Sequence, residues 1–535
     1  MTKIRFVVGP PGTGKTHIFL INKYKELLKK YDIEKIILTS HTNVASDQIK
    51  KAILELPEVK SRGLRKKFFD YRVCTIHKYC RSKNPGSDVW DGICDDHFEN
   101  LCMENINFKL GKHETGKELK KTHGFFKCYS DAHGKGLTLK EHYNTCSPHV
   151  LQEYKPYNLR QIEHMEETYE KYKQRNRISD FADMIDKYNN QNDESDIQAL
   201  IIDEAQDCNV PQLKAVKKMG ANVRDGHLYM VGDPDQTIFE FSGSDADAFH
   251  KNAAQPWQEL TEGLRCSKVV NAFARKIIKP LWTKYGYERV WTPTKDEGDI
   301  IRIPGLKSPS LNLDKLIQKI KNTEETFIFT YRGNPTNHAV RKFFIQHGIV
   351  FAHINSSPHV PVKELRAHKN YDEVFLKGKP LELKYIKQFH NYLGRKVVVH
   401  GKTGKTLCFD EMIDKPYTIH ELIKADIYKP EILENGNFHI VRTGANIERI
   451  AYIKKVLSKG FNFAEDKVRV EYGNIHEIKG ITRDNCVFDT SVYPFRYSQE
   501  PRDTQIRLSY TAVTRARYDL FIIQSSLGAT LGGVK

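Results

Sequence analysis

The stretch IRFVVGPPGTGKTHIFLINKYKELLKKY, Ile4 to Tyr31, constrains the fold more than any other part of the chain. A β-branched run stops at a Gly/Pro turn, and apolar residues then recur at Ile18, Ile21, Tyr24, Leu27, Leu28 and Tyr31, which is helical spacing. Within it, Gly9 to Thr16 reads GxxxxGK[ST], and a strand before and a helix after are the setting a phosphate-binding loop needs. The run Gly9, Pro10, Pro11, Gly12, Thr13, Gly14, Lys15, Thr16 and His17 is therefore the expected nucleotide cradle. Backbone amides and a helix N-terminus would hold phosphate oxygens. Lys15 would reach the β- and γ-phosphates and Thr16 would ligate magnesium.

A second string, HGKTGKT at His400 to Thr406, tests that argument. The position that should carry its first glycine is Val399, inside the strand-like KVVV, so a polar hairpin is the better reading. IQALIIDEAQD, Ile197 to Asp207, instead supplies what the first loop lacks. It is an apolar strand ending in two acids, placed to bring carboxylates to the C-terminal edge of a parallel sheet. Asp203 is expected in the magnesium shell, and Glu204 as the group that orients and deprotonates the attacking water.

With 535 residues, several domains are expected. A hydrophobic share of 39% beside 28% charged residues supports packed cores in a soluble chain. Lysine and arginine total 84 against 67 acids, a net +17 that favours a polyanionic partner such as nucleic acid. No apolar run is long enough to span a bilayer, and the chain opens on a strand rather than a targeting segment, so a cytoplasmic setting is expected, that of a host if the gene is viral. The ten cysteines form no CxxC pair and read as reduced thiols. CDDH at Cys94 to His97 and CSPH at Cys146 to His149 leave a zinc site open as the alternative.

VGDPDQTIFEFSG, from Val231, sets Gln236 close to Phe239 and Phe241. An amide can sense a phosphate and a ring can stack on a base; equally, the two rings could be core residues on alternate sides of a strand. Around it stand ILTSHTNVAS (Ile37 to Ser46), VCTIHKYC (Val73 to Cys80), ISDFADMI (Ile178 to Ile185), ELTEGLRCSKVVNAF (Glu259 to Phe273), FIFTYRGNPTNHAV (Phe327 to Val340), GNIHEIKGITRDNCVF (Gly473 to Phe488) and RLSYTAVTRARYDLFII (Arg507 to Ile523).

In this order the motifs resemble the UvrD/Rep/PcrA-like DNA helicases of superfamily 1, through most of the chain. The resemblance implies an α/β fold: two RecA-like P-loop motor domains with parallel sheets, each interrupted by a smaller accessory insertion, with ATP between them and single-stranded DNA across both. The first motor is expected at 1–80 and 177–255 with its insertion at 81–176, and the second at 256–355 and 446–535 with its insertion at 356–445. Gln236 and Arg265 become γ-phosphate ligands, Arg515 an arginine finger and Gly480 part of the nucleotide site. Thr42, Asn43, Thr75, His77, Phe239, Phe241, Arg332, Asn334 and His476 become DNA contacts, with Phe241 where the family usually has a base-stacking tryptophan.

The implied activity is ATP- and magnesium-dependent translocation on single-stranded DNA, 3' to 5', with duplex unwinding. A DNA-stimulated ATPase that remodels protein–DNA complexes without unwinding is the alternative. Single strands, strand–duplex junctions and replication or repair proteins are the implied partners of a monomeric motor. Eight residues precede Gly9, so the family's adenine-reading glutamine motif is not expected there; Leu264 stands where the family commonly has a stacking tyrosine, and Thr482 where it has a ribose-binding glutamate. A nucleotide preference broader than the family norm is therefore expected.

Overall fold

A computed structural model describes residues 3–84, 88–89, 100–101, 124–155, 157–192, 196–223, 226–307, 309–332, 334–354, 356–375, 377–390, 393, 397–399, 409, 412–433, 447–458, 468–490 and 501–523. The CDDH string and the HGKTGKT string lie outside them. The described chain forms two compact units, one up to Glu297 with 501–514, the other 298–490 with 515–523.

The first unit is built on a parallel sheet. Strand β1 (Ile4–Val8) enters the phosphate loop, which opens helix α1 (Ile21–Leu27) through a wide first turn at Lys15–Leu20. Then come β2 (Ile36–Ser40), α2 (Asn43–Leu54), β3 (Val73–Thr75) and α3 (Ile76–Ser82). Helices α4 (Gly124–Gly134) and α5 (Leu159–Asn176) fall in the range expected for the first insertion, and α6 (Phe181–Asn190) leads back to the sheet. Strands β4 (Ala199–Ile202), β5 (Leu228–Gly232) and β6 (Gln258–Glu259) and helix α7 (Lys268–Tyr285) complete the run.

The strand order is β3-β2-β4-β5-β1-β6, with every pairing parallel. Side chains alternate across a strand, so Val7, Leu38 and Ile201 enter the core on one face and Val8, Ile37 and Ile202 the core on the other. A sheet covered on both faces needs such continuous apolar runs. The registers Val8↔Gly232 and Ile202↔Met230 align the C-terminal ends of β1, β5 and β4, so the phosphate loop, Asp233 and Asp203 share one edge.

Residues 256–297, given to the second motor from sequence, lie in the first unit. The reason is local: β6 adds to the sheet edge through Val7↔Gln258 and Val8↔Glu259, and Leu264 N donates to Gly12 O at 2.9 Å. Within the insertion, Phe125, Tyr129, Ile162, Met165 and Tyr169 form a core of their own.

The second unit is again a six-stranded parallel sheet. Its strands are β7 (Ile300–Ile303), β8 (Phe327–Tyr331), β9 (Phe351–His353), β10 (Val470–Asn474) and β11 (Asn485–Asp489), with α8 (Asn334–His347) after β8. The chain then contributes α9 (Arg502–Val513) to the first unit and returns as β12 (Leu520–Ile523). The order is β7-β12-β11-β8-β10-β9. A separate hydrophobic cluster includes Tyr371, Phe389, Leu422 and Tyr428, within the range expected for the second insertion. The architecture is thus α/β with two parallel six-stranded sheets, as the RecA-like reading expects.

Candidate active site

The phosphate loop turns through Gly12 and Gly14, both at φ +78°. A side chain is strained in that region, and a Cβ on Gly12 would lie 2.2 Å from Cβ of Arg265. Lys15 is buried and donates to Gly9 O at 2.6 Å and Pro10 O at 3.1 Å. Burial lowers its pKa, while Asp233, Glu204 and Asp203 pull the other way and Arg265 adds to the lowering. The lysine is thus folded onto its own loop with acids around it, a charge held where an anion is to be received.

Thr16 Oγ1 donates to Asp203 Oδ2 at 3.1 Å, joining the two groups expected to hold magnesium. Burial, then repulsion from Glu204, pushes Asp203 up to about 7. A cation would relieve that penalty, and hydroxyl and carboxylate oxygens are the donors magnesium takes. The residues present therefore fit the ion. Glu204 sits in the left-handed region at φ 52°, rare for a side-chain-bearing residue and typical of functional turns. Gln206 Nε2 donates to Glu204 Oε2 at 2.5 Å, and Gln206 Oε1 accepts from Asp233 N at 3.2 Å.

Gln236 is buried, with Nε2 donating to Asp233 Oδ2 at 2.7 Å, and Asp233 follows the strand between the phosphate-loop strand and the acid-pair strand. Lys15, Thr16, Asp203, Glu204, Gln236 and Arg265 all belong to one unit, the first five on adjacent strand ends and Arg265 against the loop. Arg515 lies in the other unit, buried, with Nη1 donating to Ile481 O at 3.4 Å, one residue beyond Gly480.

Five residues past Gln236 the surface changes character. Phe241 is 57% exposed and tilts against Phe239 with centroids 6.0 Å apart; Phe239 stacks on His41 at 5.7 Å. His77 meets Phe181, itself 47% exposed, at 5.2 Å, and burial with His41 nearby lowers His77 to about 4. His41 and Phe181 were not singled out from sequence, although both lie inside quoted motifs, and an aromatic directly after a capping aspartate was the available signal for Phe181.

Thr42 and Thr75 cap α2 and α3, accepting from Ala45 N at 3.2 Å and Lys78 N at 3.3 Å, and Asn43 opens α2 in an exposed position. The threonines thus have a folding role beside any contact with DNA. In the second unit Tyr331 pairs with Asn474, so Arg332 and His476 follow neighbouring strand ends, and Asn334 begins α8. Cys146 Sγ lies 3.4 Å from His142 Nε2, and no group of three metal-ligating side chains occurs among the described residues. Nor is any described helix long and apolar enough to cross a membrane.

A glycine-rich loop of the phosphate-binding pattern, an acid-pair strand and a strand between them that ends at Asp233 define the class: a P-loop α/β fold on a parallel sheet. The family model of the UvrD/REP helicase N-terminal domain matches residues 1–256, which makes this part of the chain similar to the UvrD/Rep-like superfamily 1 helicases. No curated protein matches the sequence. That likeness supports, in general terms, an ATP-binding hydrolase and a DNA helicase or translocase.

Proposed function

We propose that the chain couples ATP hydrolysis to 3' to 5' movement along single-stranded DNA and to duplex unwinding. The observation that supports this best is the loop from Gly232 to Phe241. Its first half ends in Gln236, buried against Asp233 at the nucleotide edge, and its second half presents Phe239 and an exposed Phe241. A shift at the phosphate end has only five residues in which to dissipate before it reaches the rings.

Lys15 and Arg265 are the proposed charges for the γ-phosphate, with Arg515 as the arginine finger, because a guanidinium keeps its charge and its fork matches phosphate oxygens. Gly480 joins the nucleotide site in this reading. Thr16 and Asp203 would hold magnesium, which when bound neutralises charge on the β- and γ-phosphates. Glu204, fixed by Gln206, holds and deprotonates the attacking water. On the strand side, Phe239, Phe241 and His77 offer faces to bases, while Thr42, Asn43, Thr75, Arg332, Asn334 and His476 are proposed contacts to the strand.

The energies are matched. Melting costs about 1.4 kcal/mol per base step, and aromatic stacking returns about 1 to 3 kcal/mol per base. A stepping motor with a modest wedge therefore separates strands without a large duplex-binding domain.

Strand displacement on duplexes carrying a 3' or a 5' tail tests the proposal. Unwinding that needs ATP, magnesium and the 3' tail is expected. Strand-stimulated hydrolysis without displacement would move the assignment to remodelling of protein–DNA complexes, and hydrolysis indifferent to DNA would end the motor reading.

A further inference from the structure

Glu240 stands between the two rings of the aromatic turn, and its carboxylate serves a different element. Its Oε2 accepts from Thr504 Oγ1 and from Arg507 Nη1, both at 2.8 Å, and both donors lie on α9. Arg507 is only 1% exposed. A guanidinium taken out of water needs a counter-charge held in good geometry, and Glu240 supplies the ion pair, with Asp247 also within its field.

On its far side the same turn meets α4 at two glycines. A Cβ on Gly243 would lie 2.0 Å from Gly134 O, and one on Gly134 would lie 2.2 Å from Ser242 O, so α4 of the insertion and the turn touch main chain to main chain. Helix α9 is itself fixed to the end of α7, where Lys284 Nζ pairs with Asp503 Oδ2 at 2.5 Å. Arg515 follows Arg507 by eight residues, just past the end of α9.

We propose that Glu240 is a positioning residue that ties the base-stacking turn to α9, so that displacement of the helix leading into Arg515 is passed to Phe239 and Phe241. The proposal rests on the motor reading above. Glu240 needs no contact with nucleotide or DNA to do this. A single turn of 3-10 helix, Glu240–Ser242, carries the carboxylate and Phe241 together. Two charge-assisted bonds converging on one oxygen set the direction in which a pull acts.

The test compares wild type, E240Q, and E240M/R507M. Turnover with magnesium is measured with and without oligo(dT), and strand affinity with and without a non-hydrolysable ATP analogue. E240Q keeps an acceptor for both donors and is expected to leave basal turnover unchanged while strand stimulation falls about 2- to 30-fold. E240M/R507M removes charge and partner together at similar volume. It is expected to melt like wild type and still show no change of strand affinity on adding the analogue. Full coupling in E240Q, or coupling regained with stability in the double variant, overturns the proposal and leaves Glu240 a packing partner. Absence of strand stimulation in the wild type would overturn the motor reading itself, before any variant is compared.

Discussion

The two halves of the segment from Val231 to Ser242 differ in their access to water. From Val231 to Thr237 every residue is buried, and the polar groups answer one another: Asp233 accepts from Gln236 and from Asp235 N, and Asp235 accepts from Trp282 Nε1 at 2.7 Å and Tyr287 OH at 3.3 Å. From Phe239 to Ser242 nothing is fully buried. The dry half suits phosphate chemistry, because charges act strongly where water is excluded. The wet half suits a polymer that must be released after each step, since stacking is sequence-tolerant and modest. The proposed motor needs both within reach of one another, and the segment leaving the sheet edge carries a buried and an exposed half side by side.

If the halves divide labour in this way, each can be broken alone. K15A removes the charge at the phosphate loop and should cut turnover by about three orders of magnitude or more. Strand affinity, read by fluorescence anisotropy, should stay near wild type; a parallel loss of both would mean that the halves are not separable. E204Q keeps shape but not basicity, and turnover should fall about 100-fold or more with nucleotide affinity retained. F241A should do the reverse, weakening single-strand binding by about 1 to 3 kcal/mol at unchanged basal hydrolysis. An effect of F241A on basal turnover alone would place that ring in the chemistry instead.

The smallest effect sharpens the buried half. Burial, then repulsion from Asp233, raises Asp235 to about 7 from an ordinary 3.8. The folded protein therefore keeps a proton that the unfolded chain has already released, so this stability contribution is complete below 3.8 and is lost as pH rises through about 7. D235N is neutral throughout; its one amide oxygen can still accept from Trp282 Nε1, while its NH2 group faces the Tyr287 hydroxyl as a donor. Its melting temperature should gain on wild type between pH 5 and pH 6.5, by the equivalent of about 2 kcal/mol. A constant difference across that range would show that Asp235 is ionised when folded.

Much of this was legible in the chain. GPPGTGKT, the acid pair after ALII and the alternation of Val7 and Val8 are local, and local rules of period, turn chemistry and motif context read them directly. Arg265 shows the limit. Sequence assigned it to phosphate but put its surroundings in the second motor, because a two-residue strand such as Gln258–Glu259 has no periodicity to read. His41 was likewise hidden: a single ring between Ser40 and Thr42 becomes part of a surface only when β2 ends beside the turn at Phe239.

Residue order alone determined the phosphate loop, the parallel α/β class and the identity of the acids, since those depend on neighbours a few positions apart. The tertiary structure decided that Glu240 would meet Arg507 and that Asp235 would meet Trp282. Those pairs are separated by 267 and 47 residues. No local pattern specifies such a meeting, because it is fixed by how helices settle against a sheet whose strand order the chain does not follow.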